Sequence, residues 1–238
     1  MRRRKCEVDY KTIYATKAEA YEAMIAAEDY LGNLLPALEG IRPFPHQKVV
    51  EFGAGTGRLT CLLAPFVDHI NACDSSAHML TVAERKLRAG GRQNWQLHVA
   101  DNTRLPLPDH STDIAIEGWS FAHACGWYPD SWRHEVGKMI AEMKRLLKPG
   151  GTFILLETLG TGHESPTPPA PHLAELYAWW TETYRLHHTW IRTDYQFTSP
   201  QQGAELTRFF FGDALADRIL ANQMTILPEC TGIWWQTV

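Results

Sequence analysis

The chain has 238 residues, of which 45% are hydrophobic and 21% are charged, and its formal net charge is -4. These proportions are typical of a globular protein with a sizeable core, and the negative balance argues against binding nucleic acid over a broad basic surface. No apolar run approaches the ~20 residues that span a bilayer, and no apolar signal segment follows the basic start, so we expect a cytoplasmic protein without a membrane partner.

The first elements predicted along the chain are a helix over residues 18–38, where apolar residues recur at helical spacing, and a short apolar strand over 48–52. A strand followed by a helix then recurs. Further strands are predicted at 69–73, 95–99, 112–117 and 152–158, and helices at 59–66, 76–89 and 132–147. After a proline-rich connector, the remaining elements are a helix over 172–184, a strand over 189–197, a helix that begins near Ser199, and a last strand within 225–238.

Strands that alternate with helices indicate a parallel sheet with right-handed crossovers. The expected fold class is therefore α/β, a Rossmann-like doubly wound sheet of about seven strands with helices on both faces. Two late strands with a helix between them are expected to complete the far edge, which makes the sheet mostly parallel with one antiparallel edge strand.

The stretch VVEFGAGTGRLT, residues 49–60, places three glycines at alternate positions directly after an apolar strand. In open α/β sheets, ligands bind beyond the carboxyl ends of the strands. A dinucleotide fold would have the third glycine of GxGxxG where Arg58 stands, and the GK[ST] of a phosphate-binding loop does not follow. Glu51 would repel a pyrophosphate but attract a cation, so the stretch favours a ligand such as S-adenosylmethionine, which carries an ammonium and a sulfonium and no phosphate.

EFGAGTG (51–57) resembles the first motif of the class I S-adenosylmethionine-dependent methyltransferases, a strand that ends in an acidic residue followed by GxGxG. NACDSSAHML (71–80) is similar to the second motif of that family, and VADNTRLPLPDHSTDIAIEG (99–118) to the third and fourth. LLKPGGTFILLE (146–157) resembles the turn before the fifth strand. The resemblance covers about residues 48–158 and implies the family's fold, its cofactor S-adenosylmethionine and the product S-adenosylhomocysteine.

The resemblance also implies roles for particular side chains. Asp74 would accept hydrogen bonds from both ribose hydroxyls, and Asp101 one from the adenine amino group, with Asn102 beside it. From the residues alone, other roles stay open: Glu51 as a strand-end charge, Asp74 as a helix cap and Asp101 as the first residue of a turn. The residues expected to contact the cofactor are Glu51, Gly53, Ala54, Gly55, Gly57, Asp74, Ser75, Met79, Asp101, Asn102, Glu117 and Tyr21.

The acceptor is expected beyond the fourth strand, where the chain reads GWSFAHACGWYPDSW (118–132). The aromatic residues Trp119, Phe121, Trp127 and Tyr128 are interpreted as walls of an acceptor pocket, or alternatively as packing between the sheet and the N-terminal helix. His123 is the candidate general base, with a structural histidine as the alternative. Glu157 and His163 are weaker candidates.

The chain is interpreted as one methyltransferase domain in three parts: an N-terminal helical lid (1–45), a cofactor-binding core (46–158), and an acceptor-covering insertion with the C-terminal strands (159–238). Tyr14, Tyr21, Glu28 and Asp29 are candidate lid residues. We expect no metal, because the paired His187 and His188 have no carboxylate at ligand spacing and the five cysteines contain no CxxC pair. The basic cluster Arg2-Arg3-Arg4-Lys5 is interpreted as a solvated tail.

The function expected is transfer of a methyl group from S-adenosylmethionine to a small-molecule acceptor by in-line displacement. After the fourth strand the chain has EGWS (117–120) and no NPPY-type tetrapeptide of the kind that resembles amino-methylating nucleic-acid enzymes, so a nucleic-acid partner is not expected. The alternatives left open are an S-adenosylmethionine-binding protein without turnover, an RNA or DNA methyltransferase, and a nicotinamide-dependent oxidoreductase.

Overall fold

The computed structural model describes residues 10–238, so the basic cluster at residues 2–5 lies outside the described residues. The strands in chain order are β1 (Lys48–Phe52), β2 (His69–Asp74), β3 (Trp95–Val99), β4 (Thr112–Gly118), β5 (Leu147–Thr161), β6 (His187–Arg192), β7 (Tyr195–Gln196), β8 (Ile226–Leu227) and β9 (Glu229–Thr237). The helices are α1 (Tyr10–Thr16), α2 (Ala18–Ile25), α3 (Leu34–Ile41), α4 (Arg58–Leu63), α5 (Ala77–Ala89), α6 (His123–Trp127), α7 (Trp132–Leu146), α8 (Pro171–Glu182), α9 (Pro200–Phe211) and α10 (Asp213–Ala221). Within residues 10–238, no helix combines the length and the hydropathy needed to cross a membrane.

The strands form a seven-stranded sheet in the order β3-β2-β1-β4-β5-β9-β6, and β7 pairs with β8 in a separate two-stranded sheet. The first five strands of the large sheet are parallel to one another. Strand β9 is antiparallel to both of its neighbours and lies second from the far edge, where β6 covers it. The predicted fold class, a mostly parallel sheet with one antiparallel strand at its far edge and helices on both faces, is confirmed.

The central strands are buried on both faces, and the alternation of side chains along each strand separates two halves of the core. One half packs against α7 and α8 and contains Val50, Phe52, Ala115, Phe153 and Leu155. The other half packs against α3 and α4 and contains Val49, Ile114, Ile116, Ile154 and Leu156. By the same alternation, Glu117 and Glu157 at the carboxyl ends of β4 and β5 belong to the first face, and Glu51 of β1 belongs to the second.

The N-terminal helices lie against the start of α5, at the carboxyl edge of the sheet. The Ser76 hydroxyl donates a hydrogen bond to the main-chain oxygen of Tyr14 over 3.0 Å. Lys86 Nζ of α5 forms an ion pair of 2.7 Å with Glu22 Oε1 of α2. Because the ligand-binding end of such a sheet lies at this edge, these contacts place α1 and α2 over the region where the predicted site residues converge.

Two predicted elements differ from the structure. The helix predicted over 18–38 is wrong: α2 ends at Ile25 and α3 begins at Leu34, because Asp29 turns the chain with a positive φ of 57°. The Asp29 carboxylate then accepts hydrogen bonds from the N–H groups of Asn33 and Leu34 and so starts the second helix. The strand predicted over 189–197 is also divided, since β6 ends at Arg192 and β7 leaves the large sheet to pair with β8.

Candidate active site

The glycine-rich loop after β1 turns sharply beneath the neighbouring segments. Gly53, Gly55 and Gly57 all have positive φ angles, of 63°, 54° and 78°. A Cβ atom at Gly53 would collide with the Cβ of Ser120 in the loop after β4, and one at Gly57 would lie 2.9 Å from the Cβ of Ala83 in α5. The glycines therefore let the loop adopt a left-handed backbone and also let β4 and α5 approach it closely.

Asp74, the last residue of β2, joins this loop to the start of α5. Its Oδ2 accepts a hydrogen bond from the Gly55 N–H over 2.8 Å, and its Oδ1 accepts one from the Ser76 N–H over 2.7 Å. Burial raises the pKa of Asp74, and the two main-chain hydrogen bonds oppose that rise. The cap of α5 is Ser76, whose hydroxyl accepts from the Met79 N–H, so the Asp74 carboxylate is not itself the cap.

Glu51 is buried under α4 and is 2% exposed. Its Oε2 accepts a hydrogen bond from the hydroxyl of Thr60 in α4. Burial raises the pKa of Glu51 to about 8, against the lowering effect of the Thr60 hydrogen bond. Its partner in the protein is thus a neutral hydroxyl, and no lysine or arginine forms an ion pair with it among the described residues.

The loop after β3 brings Asn102 rather than Asp101 to the glycine loop. Asn102 Nδ2 lies 3.5 Å from the position that a Cβ at Gly53 would occupy. Asp101 is exposed, and its Oδ1 accepts hydrogen bonds from the N–H and the hydroxyl of Thr103. The geometry of Asp101 is that of a residue starting a turn, one of the alternatives left open by the sequence.

Two buried carboxyl groups end the central strands. Glu117 is fully buried, and its Oε2 accepts hydrogen bonds from the N–H groups of Ser120 and Phe121 over 3.1 and 3.3 Å. Glu157 is 2% exposed, and its Oε1 accepts one from the Ala122 N–H over 2.8 Å. Burial raises the pKa of Glu117 to about 8. Burial and then the charge of Glu117 raise the pKa of Glu157 well above its ordinary value.

His123, at the start of α6, is held among aromatic rings. Its Nε2 and the Tyr14 hydroxyl form a hydrogen bond of 2.7 Å. Its ring stacks on Trp127 with centroids 5.1 Å apart and an interplanar angle of 15°. Burial lowers the pKa of His123 to about 4, so the imidazole is neutral near pH 7. A neutral imidazole with so low a pKa is a weak proton acceptor, and the base role of His123 stays a prediction.

Arg58 lies at the start of α4, directly after the glycines. Its Nη1 forms an ion pair of 2.7 Å with Glu28 Oε2, and its guanidinium carbon lies 4.1 Å from the centre of the Trp119 ring. The second terminal nitrogen, Nη2, is buried and has no hydrogen-bond partner in the protein. A buried guanidinium with one free N–H edge is a strong site for an anionic oxygen.

Comparison with known proteins identifies the family of this fold. A profile described as "Methyltransferase domain" matches residues 50–155. The uncharacterised protein YafE of Escherichia coli K12 is 34% identical over 111 residues, covering 47% of this chain and 49% of YafE. The demethylmenaquinone methyltransferase of Clavibacter sepedonicus is 30% identical over 131 residues, covering 55% of this chain and 46% of that protein. A crystal structure of an S-adenosylmethionine-dependent methyltransferase from Aquifex aeolicus has a TM-score of 0.55 at 16% identity, covering 97% of this chain and 95% of that one.

Residues 50–155 match a methyltransferase domain, and the relatives and structural neighbours support a class I S-adenosylmethionine-dependent methyltransferase. The family resemblance carried by the four sequence motifs is thereby confirmed. The chain spans about half the length of the curated relatives it matches. The structural neighbour, at 16% identity, shows the fold alone.

The four aromatic residues predicted to wall the acceptor pocket of this methyltransferase lie in different places. Phe121 is fully buried in the core, edge-on to Phe52. Trp119 has a positive φ of 56° and packs with Arg58 on the other side of the sheet. Trp127 and Tyr128 are 37% and 43% exposed. The structure does not bring these four rings together as one wall.

A different set of aromatic side chains surrounds His123. Tyr10 and Tyr14 of α1 lie 5.1 and 5.4 Å from the His123 ring, and Phe210 of α9 lies 5.0 Å from Tyr10. Tyr21, a predicted cofactor contact, packs on Tyr14 and Phe210. Tyr10 and Phe210 were missed because their stretches are far apart in sequence. The only signal in the sequence was the aromatic run at 209–211.

Three further predicted residues complete the glycine-loop region of the methyltransferase. Met79 is buried, and its Cε lies 3.5 Å from the Cβ position of Gly55. Ala54 is buried as well, whereas Ser75 is exposed. Between residues 10 and 238, no group of three or more His, Cys, Asp or Glu side chains is arranged to hold a metal ion.

Proposed function

We propose that this protein transfers a methyl group from S-adenosylmethionine to a small-molecule acceptor by in-line displacement. The observation that carries the proposal is the placement of Asp74, whose carboxylate ties the Gly55 main chain to the start of α5 at the carboxyl edge of β1 and β2. Both of its oxygens retain a lone pair for a vicinal diol, as the ribose of the cofactor requires. Glu51, at the end of β1, is the carboxyl group that disfavours a pyrophosphate beside the glycine loop.

The residues around the glycine loop fit the other parts of S-adenosylmethionine. The free Nη2 of Arg58 is a buried donor that suits the carboxylate of the methionyl end. Glu51, held by Thr60, favours the positive charges of the ligand through the field of its carboxylate. We assign the contacts with adenine to Asn102, which lies beside the glycine loop, and to Asp101 next to it in the chain. The cofactor supplies an electrophilic methyl group on a sulfonium.

The protein's own part in such a displacement is to align the reactants and to exclude water. The rings of Tyr10, Tyr14, Tyr21 and Phe210 close over the carboxyl edge of the sheet from two directions, since three belong to the N-terminal helices and one to α9. We therefore retain the proposed organisation: a lid from residues 1–45, a cofactor core from 46–158, and a cover for the acceptor from 159–238.

The relatives support the identity of the methyl donor, S-adenosylmethionine, more strongly than the identity of the methyl acceptor. Demethylmenaquinone methyltransferase is named for a quinone acceptor, but the match covers 46% of that protein. The formal net charge of -4 argues against a broad basic surface, which supports a small molecule over RNA or DNA.

Calorimetry with S-adenosylhomocysteine tests the proposal directly. We expect saturable binding with one site per chain, no comparable binding of NADH, and transfer of label from methyl-labelled S-adenosylmethionine into the small-molecule fraction of a metabolite extract. Absence of saturable S-adenosylhomocysteine binding by the folded protein would refute the assignment. Binding without transfer of label to any small molecule or nucleic acid would instead indicate a cofactor-binding protein without turnover.

A further inference from the structure

The carboxyl groups of Glu117 and Glu157 face the same side of the sheet at the ends of two adjacent parallel strands. In the β4–β5 register Glu117 lies opposite Leu155, so Glu157 is two residues further along on the same face. Three consecutive N–H groups, of Ser120, Phe121 and Ala122, point at this carboxyl pair. The loop that carries His123 is thus fastened to both carboxylates.

No cationic side chain among the described residues neutralises a negative charge on this carboxyl pair. Among residues 10–238, neither Glu117 nor Glu157 forms an ion pair with a lysine, arginine or histidine. The other ionisable groups that face Glu157 are Tyr14 of α1, Cys125 of α6 and Tyr177 of α8, and all are neutral when protonated. Burial without a compensating charge favours the protonated form of this pair, and a bound cation would stabilise the ionised form.

One oxygen of the pair is left for a ligand. Glu117 is fully inaccessible to solvent, and its Oε1 atom has no hydrogen-bond partner among residues 10–238. The rings of Tyr14, His123 and Trp127 adjoin this region, with Tyr14 hydrogen-bonded to His123 and His123 stacked on Trp127. Carboxylates combined with ring faces are the usual surroundings of a bound ammonium group.

We propose that Glu117 and Glu157 bind a positively charged amine and that the nitrogen of this amine is the methyl acceptor. The inference rests on the proposed function, since it assigns the acceptor of the same site. Glu117 Oε1 accepts a hydrogen bond from the ammonium, and a carboxylate of the pair takes its proton. The freed lone pair forms the new C–N bond as the C–S bond of the donor breaks, and that bond's electron pair stays on sulfur. The products are the N-methylated amine and S-adenosylhomocysteine.

A hydroxyl or carbon acceptor fits the same surroundings less well. Such an acceptor is neutral when it arrives, so it would leave the buried carboxyl pair protonated and without a carboxylate that could take a proton. An ammonium supplies a compensating charge and also carries the N–H donors that the free Glu117 oxygen lacks. The carboxyl pair therefore has two roles. It selects the methyl acceptor by its charge, and it takes the proton that the ammonium group loses.

A matched pair of probes tests this selection: 2-phenylethylamine and 2-phenylethanol, which differ only in the ammonium and hydroxyl groups. Each is titrated into the full-length protein saturated with S-adenosylhomocysteine. We expect the amine to bind at least about ten-fold more tightly than the alcohol, and the Glu117→Gln and Glu157→Gln variants to lose this preference, because a one-charge interaction in a buried site exceeds about 1.4 kcal/mol. No preference for the amine in the wild-type protein overturns the proposal.

Glu229→Gln is the matched control. Glu229 is another buried carboxyl group, with burial raising its pKa to about 8, but it is bonded to Thr158 on the opposite face of β5 from Glu157. This variant should keep the preference for the amine. In all three variants a cooperative unfolding transition shows that the fold is intact, and unchanged affinity of Glu157→Gln and Glu229→Gln for S-adenosylhomocysteine shows that the donor site is intact.

The labelled product gives a second readout. After reaction with methyl-labelled S-adenosylmethionine and a metabolite extract, the unreacted donor, itself a cation, is first separated by chromatography, and we expect the labelled product in the fraction that a strong cation exchanger retains at neutral pH. Label found only in the neutral or anionic fraction overturns the amine proposal and leaves the methyltransferase assignment standing. Failure of S-adenosylhomocysteine to bind at all would instead refute the proposed function, so the two failures are distinguishable.

Discussion

The donor side of the molecule, formed by the glycine loop, Asp74 and Asn102, differs from the acceptor side, formed by Glu117, Glu157 and the rings around His123. On the donor side, Asp74 meets Gly55, 19 residues earlier in the chain, and both carboxylate oxygens have main-chain partners. On the acceptor side, the Tyr14–His123 hydrogen bond joins residues 109 apart, and Glu117 keeps an unpartnered oxygen. The donor side is a local structure, whereas the acceptor side is assembled from distant segments.

This difference suggests that the donor site is common to the members of a family, whereas the acceptor site varies from one member to another. A turn between consecutive strands is specified by a few adjacent residues, and every member that binds the same donor can use it. A pocket built from the first helix, the loop after β4 and a late helix can change whenever any one of them changes. We therefore expect substitutions on the donor side to affect folding and cofactor binding, and substitutions on the acceptor side to affect the choice of acceptor.

The largest effect expected on the donor side is from Gly53→Ala. The residue has a φ of 63°, and its new Cβ would collide with Ser120. The left-handed backbone and the overpacking together should lower the free energy of unfolding by about 3 kcal/mol, measured by urea denaturation. Gly91→Ala is the control, since Gly91 has a φ of 72° but open space around it. Equal losses in the two variants would show that the close approach of the loop after β4 is not what requires glycine here.

Asp74→Ala should weaken S-adenosylhomocysteine binding by about 100-fold, because it removes both ribose acceptors and unfastens the glycine loop. Calorimetry measures the affinity. Asp68→Ala, just before the opposite end of β2 and paired only with exposed His46 at 3.7 Å, should leave it unchanged. An unchanged affinity in Asp74→Ala would remove Asp74 from the donor site and with it the observation that carries the proposed function.

Arg58→Met tests the proposed contact with the carboxylate of the methionyl end. The wild-type protein should bind S-adenosylhomocysteine about ten-fold more tightly than its decarboxylated analogue, a difference of about 1.4 kcal/mol that the variant should lose. Comparing two ligands on each protein cancels the cost of leaving Glu28 without its ion pair, because both ligands meet the same variant. If the variant weakens both ligands equally, Arg58 serves only to hold Glu28 and Trp119.

The smallest effect expected is a pH dependence from the acceptor side. Because burial raises the pKa of Glu117 to about 8, the folded protein binds more protons than the unfolded chain near neutral pH, and the free energy of unfolding falls as the pH rises towards 8. His123 acts in the opposite direction, but only below its ordinary value of 6.5, since burial lowers its pKa to about 4.

Urea denaturation at pH 6.5 and at pH 8.5 measures this dependence, and the contribution of His123 is the same in the wild type and in Glu117→Gln. In Glu117→Gln the fall in the free energy of unfolding should be smaller than in the wild type by on the order of 1 kcal/mol. The buried groups Glu51 and Glu229 keep their contributions in both proteins. Glu39→Gln, which changes an exposed carboxylate of α3, should show the same fall in the free energy of unfolding as the wild type. If Glu117→Gln also shows the wild-type fall, Glu117 does not titrate between pH 6.5 and pH 8.5.

Local patterns predicted the sheet because each strand and its following turn are encoded within a few residues. The apolar runs at 48–52 and 69–73 gave two adjacent strands, and the glycines between them gave the loop that Asp74 fastens. The same patterns failed at residues 18–38, where the apolar spacing continues through a break that Asp29 creates with its backbone and its carboxylate. A residue with positive φ leaves no trace in hydrophobic periodicity.

The surroundings of the acceptor side were not predictable from spacing. Phe121 and Trp127 both lie in the aromatic-rich stretch 118–132, but Phe121 is fully buried and Trp127 is 37% exposed. Helix α6, which ends at Trp127, turns the chain between them. The partners of His123 come from the first described helix, and Phe210 comes from α9. The roles of the individual site residues in cofactor and acceptor binding stay predictions, whereas the family and the fold are confirmed.

Tyr14 has contacts on both sides of the molecule. Its main-chain oxygen accepts a hydrogen bond from Ser76 at the start of α5, and its hydroxyl is bonded to His123 above the carboxyl pair. Displacement of α1 breaks both contacts in one movement. If donor and acceptor bind where we propose, their entry would share a single opening event, and we expect the release of both products to depend on how readily the first helix detaches.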